Sequence, residues 1–210
     1  MKQNNAFTGL EAAIVLIAFV VVASIFSYVM LNAGFFASQK AQDVTYASIK
    51  QVTSIMYVSG SVSGSTTNDG SLNSIEFGLR IPDIGQAQDL KDLRLLFSTY
   101  NALPVDIPNT KNPPSPTQSL NGEDCWIFRT DKDWTYIQDG KPTLVSGQNG
   151  GTVSSSVAHS KNNIHIRILL GHTIGPRSEE DFTLEILPRL GPPTLISKTL
   201  PTGYRGGRIR

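Results

Sequence analysis

Few residues in this chain are of a type that does chemistry. His159, His165 and His172, the acidic trio Asp83, Asp89 and Asp92, and Cys125 are the side chains that could ligate a metal or attack a substrate. The histidines spread along a turn and a strand instead of closing at ligand spacing, so solvent-facing or structural roles are expected of them. The aspartates read as a solvated turn face, and no metal is expected there. Cys125 is the single cysteine, which excludes an intrachain disulfide and a cysteine-built metal cluster; beside Trp126 it reads as a core residue. No glycine-rich loop precedes a helix in the way that cradles phosphates. No catalytic constellation, cofactor or metal is expected, and the chain does not read as an enzyme.

The remaining chemistry lies at the amino end, and it is peptide cleavage and charge pairing. Ala6-Phe7-Thr8-Gly9-Leu10-Glu11 stands just ahead of a stretch, Ala12 to Gln39, that carries no charged side chain. Three processing schemes fit such a segment. A secretory signal would be cut after Val21-Val22-Ala23, before Ser24, but Glu11 sits where a basic flank is expected and the apolar run continues well past that point. A plain single-pass anchor explains the length and leaves Phe7–Glu11 as an accident. Cleavage between Ala6 and Phe7 removes only the short polar leader and keeps the apolar helix in the product.

Glu11 admits two roles. Thr8-Gly9-Leu10-Glu11 is a Ser/Thr-x-x-Glu capping box, in which both side chains satisfy amides at the start of a helix, and a carboxylate suits the positive end of the helix dipole. Alternatively, Glu11 pairs with the α-amine of Phe7 freed on a neighbouring subunit, so that two charges costly in an apolar core offset one another. The two roles are compatible.

The element that positions these residues is a long helix. The apolar run from Ala12 to Ala37 is broken only by Ser24, Ser27, Tyr28, Asn32 and Gly34. It would span roughly 40 Å, enough to cross a ~30 Å hydrocarbon core. Beyond it Ala37, Ala41, Val44, Ser48, Val52 and Ile55 recur every three to four residues between polar ones. One helix is therefore expected from about Thr8 to Ser54, ended by Gly60, Gly64 and their Ser/Thr neighbours. Its first half is apolar on every side, so lipid or other helices must surround it; Ile14, Ile17, Phe19, Val21, Ile25 and Tyr28 are the expected packing residues. Burying about 20 large apolar side chains at ~1.5–3 kcal/mol each makes release into water prohibitive, whereas exchange of lipid for neighbouring helices is near-balanced.

The rest of the chain carries a different signature. Charged residues are 17%, Gly and Pro number 18 and 12, and 18 basic against 17 acidic residues leave a net charge of +1, which offers no field for nucleic acid. From about Ile55 short β-prone runs alternate with turns. Expected strands are Ile55–Val58, Ser74–Ile81, Arg94–Thr99, Cys125–Arg129, Trp134–Gln138, Ile164–Leu170, Phe182–Leu187 and Thr194–Leu200. Together they suggest an α+β chain, a hydrophobic helix followed by an immunoglobulin-like antiparallel β-sandwich. Trp126, Phe128, Trp134 and Tyr136 alternate as sandwich positions would. The proline-rich Ala102–Ser119 reads as an exposed loop, and the tail Gly203–Arg210 as a solvated end or a site for an acidic neighbour.

The leader, the small residue before Phe7 and the Glu at the fifth position after it resemble the class III leader of the type IV pilin superfamily. Ile14-Val15-Leu16-Ile17-Ala18-Phe19-Val20-Val21-Val22-Ala23, the continuation Asn32-Ala33-Gly34-Phe35-Phe36, and the closing Phe182–Pro188 and Leu195–Pro201 resemble archaeal flagellins (archaellins). The resemblance implies residues 1–6 as a cleaved leader, 7–55 as the filament-core helix and 56–210 as the outer domain. It implies a structural subunit of a swimming filament, polymerised with identical or paralogous archaellins. Implied partners are a prepilin-type signal peptidase, the membrane before assembly, and assembly and motor machinery in that membrane. The implied location is an extracellular filament with a membrane-inserted precursor. No Asn is followed by x-Ser/Thr, so the N-glycans common on archaellins have no acceptor here. An archaeal adhesion pilin and a membrane-anchored surface module that never polymerises are the alternatives.

Overall fold

The computed structural model describes residues 4–148, 151–160, 162–171 and 175–209, with side chains from residue 9 onward. His172 and Arg210, named above, lie outside the described residues. The chain divides into two units, one ending at Ser48 and the other beginning at Ile49.

The first unit is helix α1, Asn4–Thr53, which continues for its last residues into the second. Its 50 residues rise about 75 Å at ~1.5 Å each. Among the described residues the helix extends back to Asn4, so Thr8 lies inside it and not at its cap. The capping box expected at Thr8–Glu11 is therefore not the start of α1. A new helix start near Thr8 requires removal of the residues before Phe7.

Helix α1 ends by hydroxyl chemistry. Thr53 Oγ1 donates to the Ile49 carbonyl at 2.9 Å and Ser54 Oγ to that of Lys50 at 2.6 Å. These bonds set hydroxyls against carbonyls of the last turn, where the helical partners run out after Ile49. Ser54 and Met56 are buried, so the chain passes from a fully exposed helix into a core within a few residues.

The second unit is a two-sheet antiparallel sandwich. Its strands are β1 (Tyr57–Thr66), β2 (Leu72–Arg80), β3 (Gln88–Asp89), β4 (Arg94–Thr99), β5 (Ala102–Ile107), β6 (Cys125–Arg129), β7 (Thr135–Gln138), β8 (Lys141–Leu144), β9 (Val157–Ala158), β10 (Ile164–Leu169), β11 (Asp181–Leu187), β12 (Thr194–Thr199) and β13 (Gly207–Arg208). A seven-stranded sheet runs β13-β1-β2-β10-β6-β7-β8, a four-stranded one β12-β11-β4-β5, and β3 pairs β9. Register aligns one inward row on each sheet: Phe77, Ile166 and Phe128 on the first, Ile196, Leu184 and Phe97 on the second. All six belong to one apolar cluster, in which Phe97 and Phe182 rings lie 5.8 Å apart. The alternation seen in the sequence at Ile164–Leu170 and Phe182–Leu187 is this inward-outward period.

Three expectations about the second unit need correction. The Gly/Ser run around Gly60 and Gly64 is no turn; it is strand β1, and the chain reverses only after Thr66. Small residues suit it because the backbones crowd: a Cβ on Gly78 of β2 would lie 2.6 Å from the Ser59 carbonyl oxygen. Ala102–Ser119 is not wholly loop, for its first third is β5, paired with β4 from Leu95↔Ile107 to Thr99↔Ala102. Pro104 is tolerated because β5 is an edge strand with one side free of ladder bonds.

The tail is the third correction. Instead of a free end, it folds back as β13 on the edge of β1, with Ser63 opposite Arg208 and Gly64 opposite Gly207. Gly206 and Gly207 both adopt φ +107, a conformation closed to residues with a Cβ. Tyr204 and Ile209 are buried.

The seven-stranded sheet also has a second, smaller core on its outer face, made of Cys125, Ile127, Trp134, Tyr136, Val145 and Leu169. Residues 108–124 run over that face. The Pro108 carbonyl accepts from Trp126 N at 3.0 Å, that of Asn109 from Ile137 N at 3.0 Å, and that of Pro116 from Arg167 Nη1 at 3.0 Å. The four aromatics thus divide: Trp126 and Phe128 belong to the inner core, Trp134 and Tyr136 to the outer one.

Candidate assembly surface

Every described side chain of α1 from Gly9 to Val52 is exposed. Ile14, Ile17, Phe19, Val21, Ile25 and Tyr28 are between 50% and 71% exposed. An apolar surface this continuous is far beyond what a dispersed soluble protein presents, and by length and composition Gly9–Thr53 is able to cross a membrane. Because the apolar residues occupy all sides of the first half, no single face is singled out, and the cover must come from all around.

Several polar groups on α1 are turned inward on the helix itself. Ser24 Oγ donates to the Val20 carbonyl, Thr45 Oγ1 to that of Ala41 at 2.8 Å and Ser48 Oγ to that of Val44 at 2.8 Å. Such i−4 bonds let a hydroxyl sit on a helix that is buried in apolar surroundings. Lys40 folds over the Phe36 ring, 5.8 Å from its centroid. Among the described residues Glu11 has no ion pair. Ala6, Phe7 and Thr8 are helical in backbone, and their side chains are outside the description.

In the second unit the residues singled out for chemistry form no common site among the described residues. Asp89 pairs with its near neighbour Lys91 at 2.9 Å, and Asp92 with the sequence-distant Arg189 at 3.1 Å. His165 stands on β10 opposite Arg129 of β6; burial and the Arg129 charge hold its pKa below the usual imidazole value. Cys125 is fully buried, and burial pushes its thiol up to about 11. It packs as expected of a core residue. Among the described residues no three His, Cys, Asp or Glu side chains converge as a metal site.

Charge is instead used to tie the outer face together. Glu76 accepts from Arg167 Nε at 3.1 Å and from Arg129 Nη2 at 3.4 Å. The two guanidinium carbons stand 4.5 Å and 4.7 Å from the centroid of Trp134. Sequence reading did not bring these four residues together, since they come from β2, β6, β7's approach and β10. The tail strand left one signal: an otherwise polar Gly/Arg segment carrying Tyr204 and Ile209.

The described geometry is thus an exposed apolar rod followed by a sandwich with no catalytic cluster among its described residues, and known proteins share both parts. Residues 6–198 match the archaeal-type flagellin family. The chain belongs to that family. It is 31% identical over 217 residues to probable flagellin 2 of Archaeoglobus fulgidus, covering 97% of this chain and 93% of the relative. Against probable flagellin 1 of the same organism it is 53% identical over 92 residues, which span 43% of this chain and 45% of that relative. The archaeal flagellum of Methanospirillum hungatei strain JF1 aligns over 96% of this chain and 99% of its own, with a TM-score of 0.66 and 34% identity. As an archaeal-type flagellin the chain is a structural filament subunit. Its family match contains α1 from Ala6 onward and the sandwich through most of β12, and leaves the β13 tail outside.

Proposed function

We propose that this flagellin is held in the membrane as a precursor, is cut between Ala6 and Phe7 by a prepilin-type signal peptidase, and then polymerises through the freed helix into the extracellular archaeal flagellum. The filament is turned by separate machinery in the membrane; this chain supplies a stiff polymer with a β-sandwich coat. The observation that carries the reading is the uniform exposure of α1 from Gly9 to Val52, which is incompatible with free existence in water and suited to lipid first and identical helices afterwards.

The chemistry of assembly falls to few residues. Cleavage would expose the Phe7 amine, and Glu11 would serve as counter-charge to that amine on a neighbouring subunit in the apolar core. Ile14, Ile17, Phe19, Val21, Ile25 and Tyr28 would pack on neighbouring helices. Before assembly the same surface would be solvated by acyl chains.

Sequencing the amino terminus of filament subunits tests this. A start at Phe7 is expected. A start at Ser24, or recovery of the native product only as single molecules without the apolar helix, refutes it. Swimming by a deletion strain would refute the motility role.

A further inference from the structure

The sandwich carries complementary features on its two opposite edges. On one side, between β12 and the β1–β13 edge, lies an open cleft of about 620 Å³ lined by Val58, Val62, Leu195, Lys198, Arg208 and Ile209. Leu195 is 64% exposed there. On the other side the β4–β5 hairpin projects Tyr100 and Leu103, 86% and 85% exposed, with Val105 behind them. β12 and β5 are the two outer strands of the same four-stranded sheet.

Charge follows the same division. The cleft is basic through Lys198 and Arg208. The hairpin tip has one carboxylate beside it: Glu180 accepts from Asn101 at 3.2 Å.

We infer that the Tyr100–Leu103 hairpin of one subunit docks in the β12–β13 cleft of the next, a side-to-side contact between outer domains that supplements the helix core. The occupant is a second copy of this chain. Knob and hole lie on opposite edges of one molecule, so the contact is head-to-tail, and a head-to-tail contact that does not close generates a helical polymer. Strand addition is not the means. Pro104 removes a donor from β5, and a Lys on β12 blunts the other edge, so side chains make the contact. The inference rests on the filament reading above.

Paired cysteines test it on purified filaments of the full chain. Leu103→Cys with Ser61→Cys, the latter an exposed position in the cleft, is expected to give a ladder of covalent oligomers under mild oxidation. Ser61 of β1 lines the cleft with β12, and β5 lies three strand spacings, about 14 Å, on the far side of β12, beyond the ~7 Å over which two Cα atoms can share a disulfide, so the bond is not expected within one subunit. Neither single variant, nor Leu103→Cys with Asn68→Cys in the β1–β2 turn, is expected to ladder, and buried Cys125 stays silent. Filaments that assemble without a ladder, or a control that ladders equally, overturn the inference. A second variant, Leu103→Ser, is expected to lower the temperature at which filaments dissociate or to abolish them; an unchanged temperature overturns it. Failure of the unsubstituted chain to form filaments refutes the polymer reading itself, and is distinguishable on that ground.

Discussion

Tyr204→Phe is the most exact probe of the folded-back tail. The ring is nearly buried and is kept by the substitution, so only the hydroxyl is lost. That oxygen accepts from Gly64 N at 3.1 Å and lies 2.5 Å from the Gly207 carbonyl and 3.0 Å from that of Gly64, to either of which it donates. Its removal deprives β1 of a partner for an edge N–H and β13 of an anchoring donor. A lost hydrogen bond that leaves a part-buried N–H without a partner costs about 1–2 kcal/mol. The cost falls on local opening of the tail rather than on global unfolding. Amide exchange at Gly64 and Ile209, whose N–H donates to Val62 O at 2.9 Å, is therefore expected to quicken about 5- to 30-fold. Peptides from β11 should not change. Exchange by mass spectrometry on full-length filaments reads both. Unaltered rates at Gly64 and Ile209 would refute the latch; equal acceleration in β11 would show that the hydroxyl supports the whole sandwich.

Glu11→Ala is expected to leave leader removal intact and to reduce filament yield, read by amino-terminal sequencing and electron microscopy; wild-type yield would rule out an essential charge pair. Cys125 should resist alkylation in native filaments at pH 8 and react after denaturation, because its thiol titrates near 11 and is fully buried. Burial raises the Asp124 pKa despite the bond from Gly171 N at 2.6 Å. The folded state then holds that proton more tightly than the unfolded one, so Asp124 weakens the domain above its folded pKa, and this weakening fades as pH falls toward the ordinary carboxylate value. Asp124→Asn should raise the unfolding temperature at pH 7, followed by tryptophan fluorescence, and flatten its slope in acid; a lower temperature at pH 7 contradicts this. Gly78→Ala should open the β1–β2 pairing, since its Cβ meets backbone at 2.6 Å, and is expected to cost more than the ~1 kcal/mol of a typical substitution.

The sequence made some elements plain because one physical force dominated them. A charge-free apolar run declares a helix by length alone, and the strands at Ile164–Leu170 and Phe182–Leu187 show the period of two because one face is buried and the other wet. β1 hid itself. It is held by ladders on both sides rather than by side-chain burial, so its Gly and Ser residues carry no alternation. β5 was masked by Pro104, which an edge strand accepts. The tail was masked by its arginines, although Tyr204 and Ile209 do the anchoring. The outer cluster around Trp134 could not be foreseen either, because β6 is covered on both faces and its apolar run does not say what lies over the second one. The exposed apolar residues of α1 are legible in the sequence, whereas the opposed hairpin and cleft depend on a sheet order that no local pattern encodes.

The two apolar clusters of the sandwich share no residue, and the seven-stranded sheet lies between them as a partition. Cysteine, tyrosine and tryptophan substitutions beneath the 108–124 cover therefore perturb a compartment that the inner packing does not feel. A lineage can lengthen or recolour that cover while the half of the domain packed on the inner cluster goes unaltered.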